Sequence, residues 1–288
     1  MLPDVAILQI FDFYIMNEDQ VDAYRIQAWQ TLAHVCRNWR MIVFDSLRRL
    51  KLRLLCTSKT PIPVRKTLEV WPLLPIVVRN VVPVAWSTDE TLKVLEHNDC
   101  ICQLQLDAGF PSSNSQWENL LKAMQKPFPA LEHLTLNPSN GTVAVVPVSL
   151  LGGSAPSLKT FSLHNIPFPG LPNLLLSTTH LVYIDLWYIP HSGYISPKAM
   201  VTCLSTLTRL ETLRIGFKYP QIYPDQNGQR LPPQVRTLLP AVTNFWFQGV
   251  SEYLEDLLAR VDTPLLKKTC FVLEHLKVAI VNDLSTST

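Results

Sequence analysis

The side chains best suited to catalysis or metal binding lie along this sequence without the spacing that such chemistry requires. The seven histidines include no His-x-x-x-His or Glu-x-x-His pair of the kind that holds a metal. Gly152-Gly153-Ser154 lacks the flanks of a nucleophile elbow, and no glycine-rich phosphate-binding loop is present. We therefore expect a protein that is not an enzyme and has no metal or cofactor. The alternative is a metal-binding or pH-sensing pair formed by His133 and His164, if both lie on adjacent strands.

The cysteines and the apolar segments indicate an intracellular protein, cytoplasmic or nuclear. The six cysteines are scattered, without Cys-x-x-Cys pairs, so we expect reduced and mostly buried thiols. The first residues have no basic and apolar regions of the kind found in a signal peptide. The most apolar stretch, residues 73–86, is interrupted by Arg79 and by prolines, so we expect no membrane contact.

Charge is nearly balanced overall but uneven along the chain. The formal net charge is +2, which is too small to indicate a nucleic-acid partner. Residues 37–66 nevertheless carry nine basic side chains and one acidic side chain, Asp45. Such a segment is either a solvated face or a patch that meets an acidic partner surface.

The strongest pattern is a repeated hexamer in which apolar residues occupy the first, fourth and sixth positions. A single such hexamer is common in a leucine-rich chain, but nine at intervals of 23 to 32 residues are not. The first two and the last are the weakest matches. The hexamers start at residues 47, 73, 101, 131, 158, 181, 210, 242 and 273.

Each hexamer predicts a short strand with one buried face, and the residues between hexamers return the chain to the next strand. Four of the returns have apolar residues at helical spacing, so the sequence predicts an α/β fold with a curved parallel sheet and outer helices. These four stripes contain Leu92 and Leu95; Trp117, Leu120, Leu121 and Met124; Met200, Leu204 and Leu207; and Tyr253, Leu254, Leu257 and Leu258.

In this organisation residues 47–280 resemble a leucine-rich-repeat solenoid, followed by a polar tail at 281–288. The repeat is degenerate, because only Asn137 supplies the asparagine that usually follows the strand. Apolar hexamer positions would point into the core, and the positions between them would form the concave face.

Residues 1–46 have a different pattern, with two amphipathic helical stripes separated by a polar interval. Leu2-Pro3 with Ile10-Phe11, followed by Leu32-x-x-Val35-Cys36-x-x-Trp39-Arg40, resembles an F-box. Two further stretches look like those of the F-box proteins with degenerate leucine-rich repeats that are abundant in mushroom-forming fungi: Arg48-Arg49-Leu50-Lys51-Leu52-Arg53-Leu54 and Trp71-Pro72-x-x-Pro75-Ile76. An alternative is that these helices only cap the repeat array.

The resemblance implies a substrate-recognition subunit of a Skp–cullin–F-box ubiquitin ligase, which would hold an unknown target protein on the repeat arc. The F-box would bind a Skp-type adaptor, and through it the cullin–RING ligase. The alternative function is a repeat scaffold that binds a partner without any ligase. The resemblance assigns the adaptor face and its supporting core to Leu2, Pro3, Ile10, Phe11, Val35, Cys36 and Trp39.

Five residues at concave positions are the candidates for holding the target. Aromatic and arginine side chains are the usual anchors of protein interfaces, and an acidic residue among them would set the polarity of the site. The five residues are Tyr183, Asp185, Trp187, Arg214 and Trp246.

Overall fold

The computed structural model describes most of the chain. The described residues are 3–15, 28–57, 74–80, 88–107, 113–138, 144–218, 236–273 and 278–283. Leu2, one of the predicted adaptor-binding residues, lies outside them. Within these ranges the chain is a mixed α/β protein built around one large parallel sheet, as the hexamers predict.

The main sheet has ten described strands, and their order across the sheet follows their order along the chain. Every neighbouring pair is parallel except the last, β11 and β12, which is antiparallel. The short strands β8 (Thr237–Leu238) and β10 (Val261–Asp262) pair with each other outside this sheet. The sheet strands are β1 (Leu54–Thr57), β2 (Ile76–Asn80), β3 (Ile101–Leu106), β4 (His133–Leu136), β5 (Thr160–His164), β6 (Tyr183–Ile189), β7 (Thr212–Phe217), β9 (Asn244–Gly249), β11 (Lys268–Leu273) and β12 (Val278–Asp283).

The hexamers starting at 73, 101, 131, 158, 181, 210 and 242 all overlap a strand, and β3 matches its hexamer residue for residue. The hexamer starting at 47 is wrong as a strand prediction. Residues 46–51 form a turn in which Lys51 takes a positive φ of 47°, and β1 begins only at Leu54. A turn can bury Leu50 and Leu52 at the same apolar positions, so the pattern does not separate the two structures.

The last hexamer, starting at 273, is described only at its two ends. Residue 273 ends β11 and residue 278 begins β12, and residues 274–277 lie outside the described ranges. The valine- and isoleucine-rich run from 278 favours a strand of its own. As β12 runs through residue 283, its end lies in the segment predicted to be a polar tail.

The described α-helices fall into two groups. Three precede the sheet, and five lie in the connections between strands. The helices before the sheet are α1 (Asp4–Ile15), α2 (Ala28–Val35) and α3 (Arg37–Asp45). The connecting helices are α4 (Thr88–Leu95), α5 (Asn114–Ala123), α6 (Leu171–Ser177), α7 (Pro197–Leu204) and α8 (Ser251–Arg260). Within the described ranges, no helix is both long and apolar enough to cross a bilayer.

The four predicted helical stripes are confirmed as the buried sides of connecting helices. Trp117 and Leu120 of α5 are fully buried, and Tyr253 of α8 is equally enclosed. The start of α7 follows from its sequence, because the Ser196 hydroxyl accepts a hydrogen bond from the Ala199 amide and Pro197 fits the first helical turn.

One continuous core joins the helices to the sheet. It contains the buried sides of the connecting helices and every second residue of the strands, such as Leu104 and Leu106 of β3. The strand residues between them, such as Gln103 and Gln105, are half-buried. The helices therefore cover one face of the sheet. The other face, which we call the polar face, carries polar side chains from β3 onward and a small apolar cluster of Leu55, Val77 and Cys102 at its first strands.

The three N-terminal helices extend the same continuous core. Phe11 of α1 is fully buried and packs edge-on against Trp39 of α3, with ring centroids 4.9 Å apart. Trp29 of α2 is also buried, and its indole nitrogen donates a hydrogen bond of 2.8 Å to the Arg53 carbonyl oxygen just before β1. The helices are thereby attached to the first strand of the sheet.

Candidate functional site

The parallel register brings all five predicted target-binding residues together on the polar face. Asp185 of β6 pairs with Arg214 of β7, and Arg214 pairs with Trp246 of β9. Tyr183 lies two residues before Asp185, and Trp187 lies two residues after it, so all three point to the same face. We call Tyr183, Asp185, Trp187, Arg214 and Trp246 the polar-face cluster.

Asp185 is the centre of this cluster. Asp185 is only 4% exposed, although it lies on the polar face. The carboxylate oxygen Oδ2 accepts hydrogen bonds from Arg214 Nη1 at 3.1 Å and from the Tyr183 hydroxyl at 3.3 Å. Arg214 Nη1 also donates to the Tyr183 hydroxyl at 3.3 Å, which closes a ring of three side chains. The buried carboxylate is therefore paired through Oδ2 alone, and Oδ1 is buried without a hydrogen-bond partner among the described residues.

Arg214 lies between two tryptophans. Its Cζ atom is 5.0 Å from the ring centroid of Trp187 and 5.5 Å from that of Trp246. Both distances are within the range of a cation–π contact. Burial alone would lower the pKa of Arg214, but the hydrogen bond to Tyr183 and the charge of Asp185 outweigh it and raise the pKa. The guanidinium is therefore charged and held in one orientation.

Sequence reasoning missed Gly216, which makes room for Trp187. A Cβ atom at residue 216 would lie 2.6 Å from the Trp187 ring, so only glycine lets the indole lie flat on β7. A glycine inside a strand indicates such a close approach. The pairing of β6 with β7 is irregular after Leu186, and this irregularity decides which ring approaches Gly216. The sequence alone does not predict it.

His164 and Ser162 of β5 extend the cluster and contain the residue types of a hydrolase triad. His164 Nε2 is 3.2 Å from Asp185 Oδ2 and 3.2 Å from Ser162 Oγ. A catalytic relay needs the carboxylate on one ring nitrogen and the serine on the other. Since both partners meet the same nitrogen here, the geometry is that of a shared hydrogen-bond contact and not of a relay.

The hypothesis of a His133–His164 pair is wrong. His133 pairs with Thr160 at the start of β5, whereas His164 lies four residues further along and pairs with Trp187. Four strand residues correspond to about 13 Å, which is too far for a shared ligand. No group of three potential metal-binding side chains occurs among the described residues.

The predicted adaptor-binding residues divide into exposed and buried members. Ile10 is 47% exposed and Val35 is 56% exposed, while Pro3 and Cys36 are exposed as well. Phe11 is fully buried and Trp39 is half-buried against it, so these two support the surface from below. The structure gives no description of Leu2.

The exposed members do not stand alone. Four further apolar side chains on the same helices are more than half exposed, and they were not among the predicted adaptor-binding residues. Phe13 is the most exposed of them at 81%. With Ile10, Pro3, Val35 and Cys36, they form what we call the helical apolar surface. The four are Val5, Phe13, Tyr14 and Met41.

Cys36 occupies the junction of the two helices α2 and α3. Its sulfur accepts a hydrogen bond of 3.4 Å from the Trp39 amide, so the thiol acts as the N-cap of α3. Arg40 fixes the same junction from the other side, where its Nε donates 2.9 Å to the Ala33 carbonyl oxygen. These contacts hold Val35 and Cys36 at an exposed corner.

Comparison with known proteins does not assign the chain to a family. No protein-family model matches it. No curated protein matches it at a significant level. Function therefore has to be inferred from the helical apolar surface and the polar-face cluster.

Proposed function

We propose that this chain is the substrate-recognition subunit of a Skp–cullin–F-box ubiquitin ligase. The helices α1 to α3 act as an F-box that binds a Skp-type adaptor through the helical apolar surface. The sheet and its connecting helices act as a leucine-rich-repeat arc, whose polar face holds the target protein. The chain itself makes and breaks no bond in this mechanism.

The regularity of the strands supports the repeat. The strands β4, β5, β6, β7 and β9 each begin two residues after the first apolar residue of their hexamer. Each parallel pair joins consecutive main-sheet strands, as expected when every repeat contributes one strand and one return segment.

The observation that carries the proposal is the exposure of apolar side chains on a well-packed helical module. Ile10, Phe13 and Tyr14 lie at the spacing that places residues on one side of a helix, and all three are exposed. The same helices bury Ile7 and Phe11 in the continuous core, so these side chains are not exposed for lack of packing. A group of exposed apolar residues on a packed module indicates a protein interface.

The mechanism that follows is one of effective concentration. A target held on the polar face and an adaptor held on the N-terminal helices become parts of one assembly. Ubiquitin transfer to the target then proceeds as if it were intramolecular. The cluster around Arg214 suits the target side, because aromatic and arginine side chains dominate binding energy at interfaces.

Direct binding to a purified Skp-type adaptor tests the ligase assignment. We expect the full chain to bind, and the double variant Ile10→Asp, Val35→Asp to bind at least about tenfold more weakly, because it places two charges in an apolar interface. The control is Leu176→Asp on α6, since Leu176 is 45% exposed and lies outside the surface. Isothermal titration calorimetry measures all three affinities.

Thiol labelling provides a second reading of the same complex. Cys36 is the exposed cysteine among those described, whereas Cys56, Cys102 and Cys203 are buried. We expect rapid alkylation of Cys36 in the free chain and slower alkylation when the adaptor is present. If the wild-type chain ignores the adaptor, the ligase proposal fails and the scaffold without ligase takes its place.

Target binding is tested separately from adaptor binding. In cells treated with a proteasome inhibitor, proteins captured by the wild-type chain should be lost with the double variant Trp187→Ala, Trp246→Ala. That variant should still bind the adaptor, because the helical apolar surface is untouched. Equal capture by both chains would place the target elsewhere on the molecule.

A further inference from the structure

A cleft of about 660 Å³ lies along the edge of the sheet where the first five strands begin. One wall is the turn that joins α3 to β1, including Arg48, Lys51 and Arg53. The other side is formed by residues just before or within β3, β4 and β5, including Asp99 and Glu132. Its volume falls in the range of about 300–1,000 Å³ that is usual for ligand sites.

Two arginine side chains of the basic wall form no hydrogen bond or ion pair within the described structure. Arg49 turns to the helices and pairs with Asp12 at 3.2 Å. Arg48 and Arg53 line the cleft, and neither side chain forms a hydrogen bond or ion pair with another described residue. The Arg53 backbone is nevertheless fixed, because its carbonyl oxygen accepts the hydrogen bond from Trp29.

The charge of Arg53 shifts the pKa of two neighbouring residues. Burial lowers the pKa of Arg79, and the charge of Arg53 lowers it further. The pKa of His133 is also lowered, first by burial and then by several cations that include Arg53. Arg53 thus contributes a positive charge to this region, which Glu132 opposes at His133 and Asp107 opposes at Arg79.

The acidic side chains of the cleft only partly offset its positive charge. Glu132 is already paired with Lys159, whose Nζ atom lies 2.9 Å from Glu132 Oε1. Asp99 is then one carboxylate against the two guanidinium groups of Arg48 and Arg53. A bound anion therefore meets a net positive lining.

The remaining lining is apolar. Leu47 and Pro75 line the cleft with the buried residues Leu52 and Leu74. The thiols of Cys100 and Cys102 also face it, and burial raises the pKa of each. Both thiols therefore stay protonated near neutral pH, and they act as part of the apolar lining rather than as nucleophiles.

We propose that this cleft is a second binding site, which takes an acidic peptide segment of a partner protein. Carboxylates of the segment would pair with Arg48 and Arg53, and its apolar side chains would lie against Leu47, Leu74 and Pro75. A nucleic acid fits less well, since the apolar residues Leu47, Leu74 and Pro75 offer no partner to a continuous phosphate backbone. The site is separate from both surfaces of the proposed function and does not depend on it.

Fluorescence polarisation with three labelled probes tests this assignment on the full chain. The probes are the acidic hexapeptide Leu-Glu-Asp-Leu-Glu-Leu, its carboxamide counterpart Leu-Gln-Asn-Leu-Gln-Leu, and an octamer of uridine. We expect the acidic peptide to bind more tightly than either other probe and to weaken as salt is raised.

Substitutions with opposite expected effects separate binding from folding. Arg48→Gln with Arg53→Gln should weaken the acidic peptide about tenfold by removing two partly exposed ion pairs. Asp99→Asn should tighten it about twofold by removing a repulsion. Arg209→Gln is the control, because Arg209 is exposed and contacts His180 outside the cleft.

Three results would overturn the proposal. The first is no binding of the acidic peptide up to about 1 mM, the weakest affinity of interest here. The second is equal binding of the carboxamide peptide, which would make the cleft merely apolar. The third is preferential binding of the uridine octamer, which would make it a nucleic-acid site.

Discussion

The polar-face cluster and the basic wall of the cleft use the same residue type in opposite ways. Arg214 donates to Asp185 and Tyr183 and lies between two indoles. Arg53 lines an open cleft, and its side chain makes no hydrogen bond to another described residue. The first arginine stabilises a rigid surface, whereas the second is available to a ligand.

This difference separates two kinds of binding surface. A partner that meets Arg214 finds side chains whose orientation is already fixed, so little conformational entropy is lost on association. A partner that meets Arg53 gains a new ion pair but must also order a flexible side chain. Variants of the first surface should therefore change stability, and variants of the second should change binding alone.

The largest expected effect is the removal of the buried carboxylate. Asp185→Ala should lower the free energy of unfolding by about 3 kcal/mol, because it leaves Arg214 partly buried without its ion pair. Arg53→Gln should change it by less than about 0.5 kcal/mol, as should the exposed control Glu118→Ala. Urea denaturation followed by circular dichroism measures all three. Similar losses for Asp185→Ala and Arg53→Gln would remove the distinction between the two surfaces.

The next effect concerns the packing of Trp187 on Gly216. Gly216→Ala should cost about 1–3 kcal/mol, because the new methyl group would overlap the indole. In a Trp187→Ala background the same change should cost much less. A double-mutant cycle by urea denaturation measures the coupling. Equal costs in both backgrounds would mean that Gly216 matters for another reason.

A smaller effect is expected from Trp246. Trp246→Leu removes one of the two indoles beside Arg214 and should cost about 1 kcal/mol, the usual size of a partly exposed cation–π contact. In an Arg214→Met background this cost should largely vanish. Thermal unfolding of the four chains provides the comparison. A cost that stays the same after the guanidinium has been removed would count against the contact.

The smallest expected effect is a pH dependence of the folding stability that is caused by His133. Burial, followed by the charges of nearby cations, holds its pKa below 6.5, although Glu132 acts in the opposite direction. Below pH 6.5 the unfolded chain therefore binds a proton that the folded chain does not, so stability falls as the pH falls. His133→Gln should reduce this loss, measured by urea unfolding on both sides of that pH. An unchanged pH dependence would show that His133 does not contribute.

The sequence predicted the strands where apolar alternation is part of a longer strand–helix period. The hexamers starting at 101, 158, 181 and 242 are each followed by a described helix that buries its apolar side in the same core. The hexamer from Leu47 to Leu52 has the same apolar pattern, but there the backbone turns at Lys51. Local apolar spacing cannot distinguish these cases, since both bury the same leucines.

The polar-face cluster was predictable as a set of residues but not as a network. Alternation along β6 and β7 places Asp185, Trp187 and Arg214 on one face. The contact of Asp185 with His164 and that of Trp187 with Gly216 depend on strand register, which a single sequence does not specify. The cleft was even less predictable from the sequence, because it joins the basic segment to residues about fifty to a hundred positions further along the chain.

The order of the strands has a consequence for how the chain is made. Every parallel pair in the main sheet joins a strand to the one synthesised just before it, apart from the short β8 and β10. Each pairing therefore closes a loop of only one repeat, which costs less entropy than pairing strands from distant parts of the chain. The sheet can therefore grow strand by strand as the chain leaves the ribosome, with each completed strand serving as the template for the next.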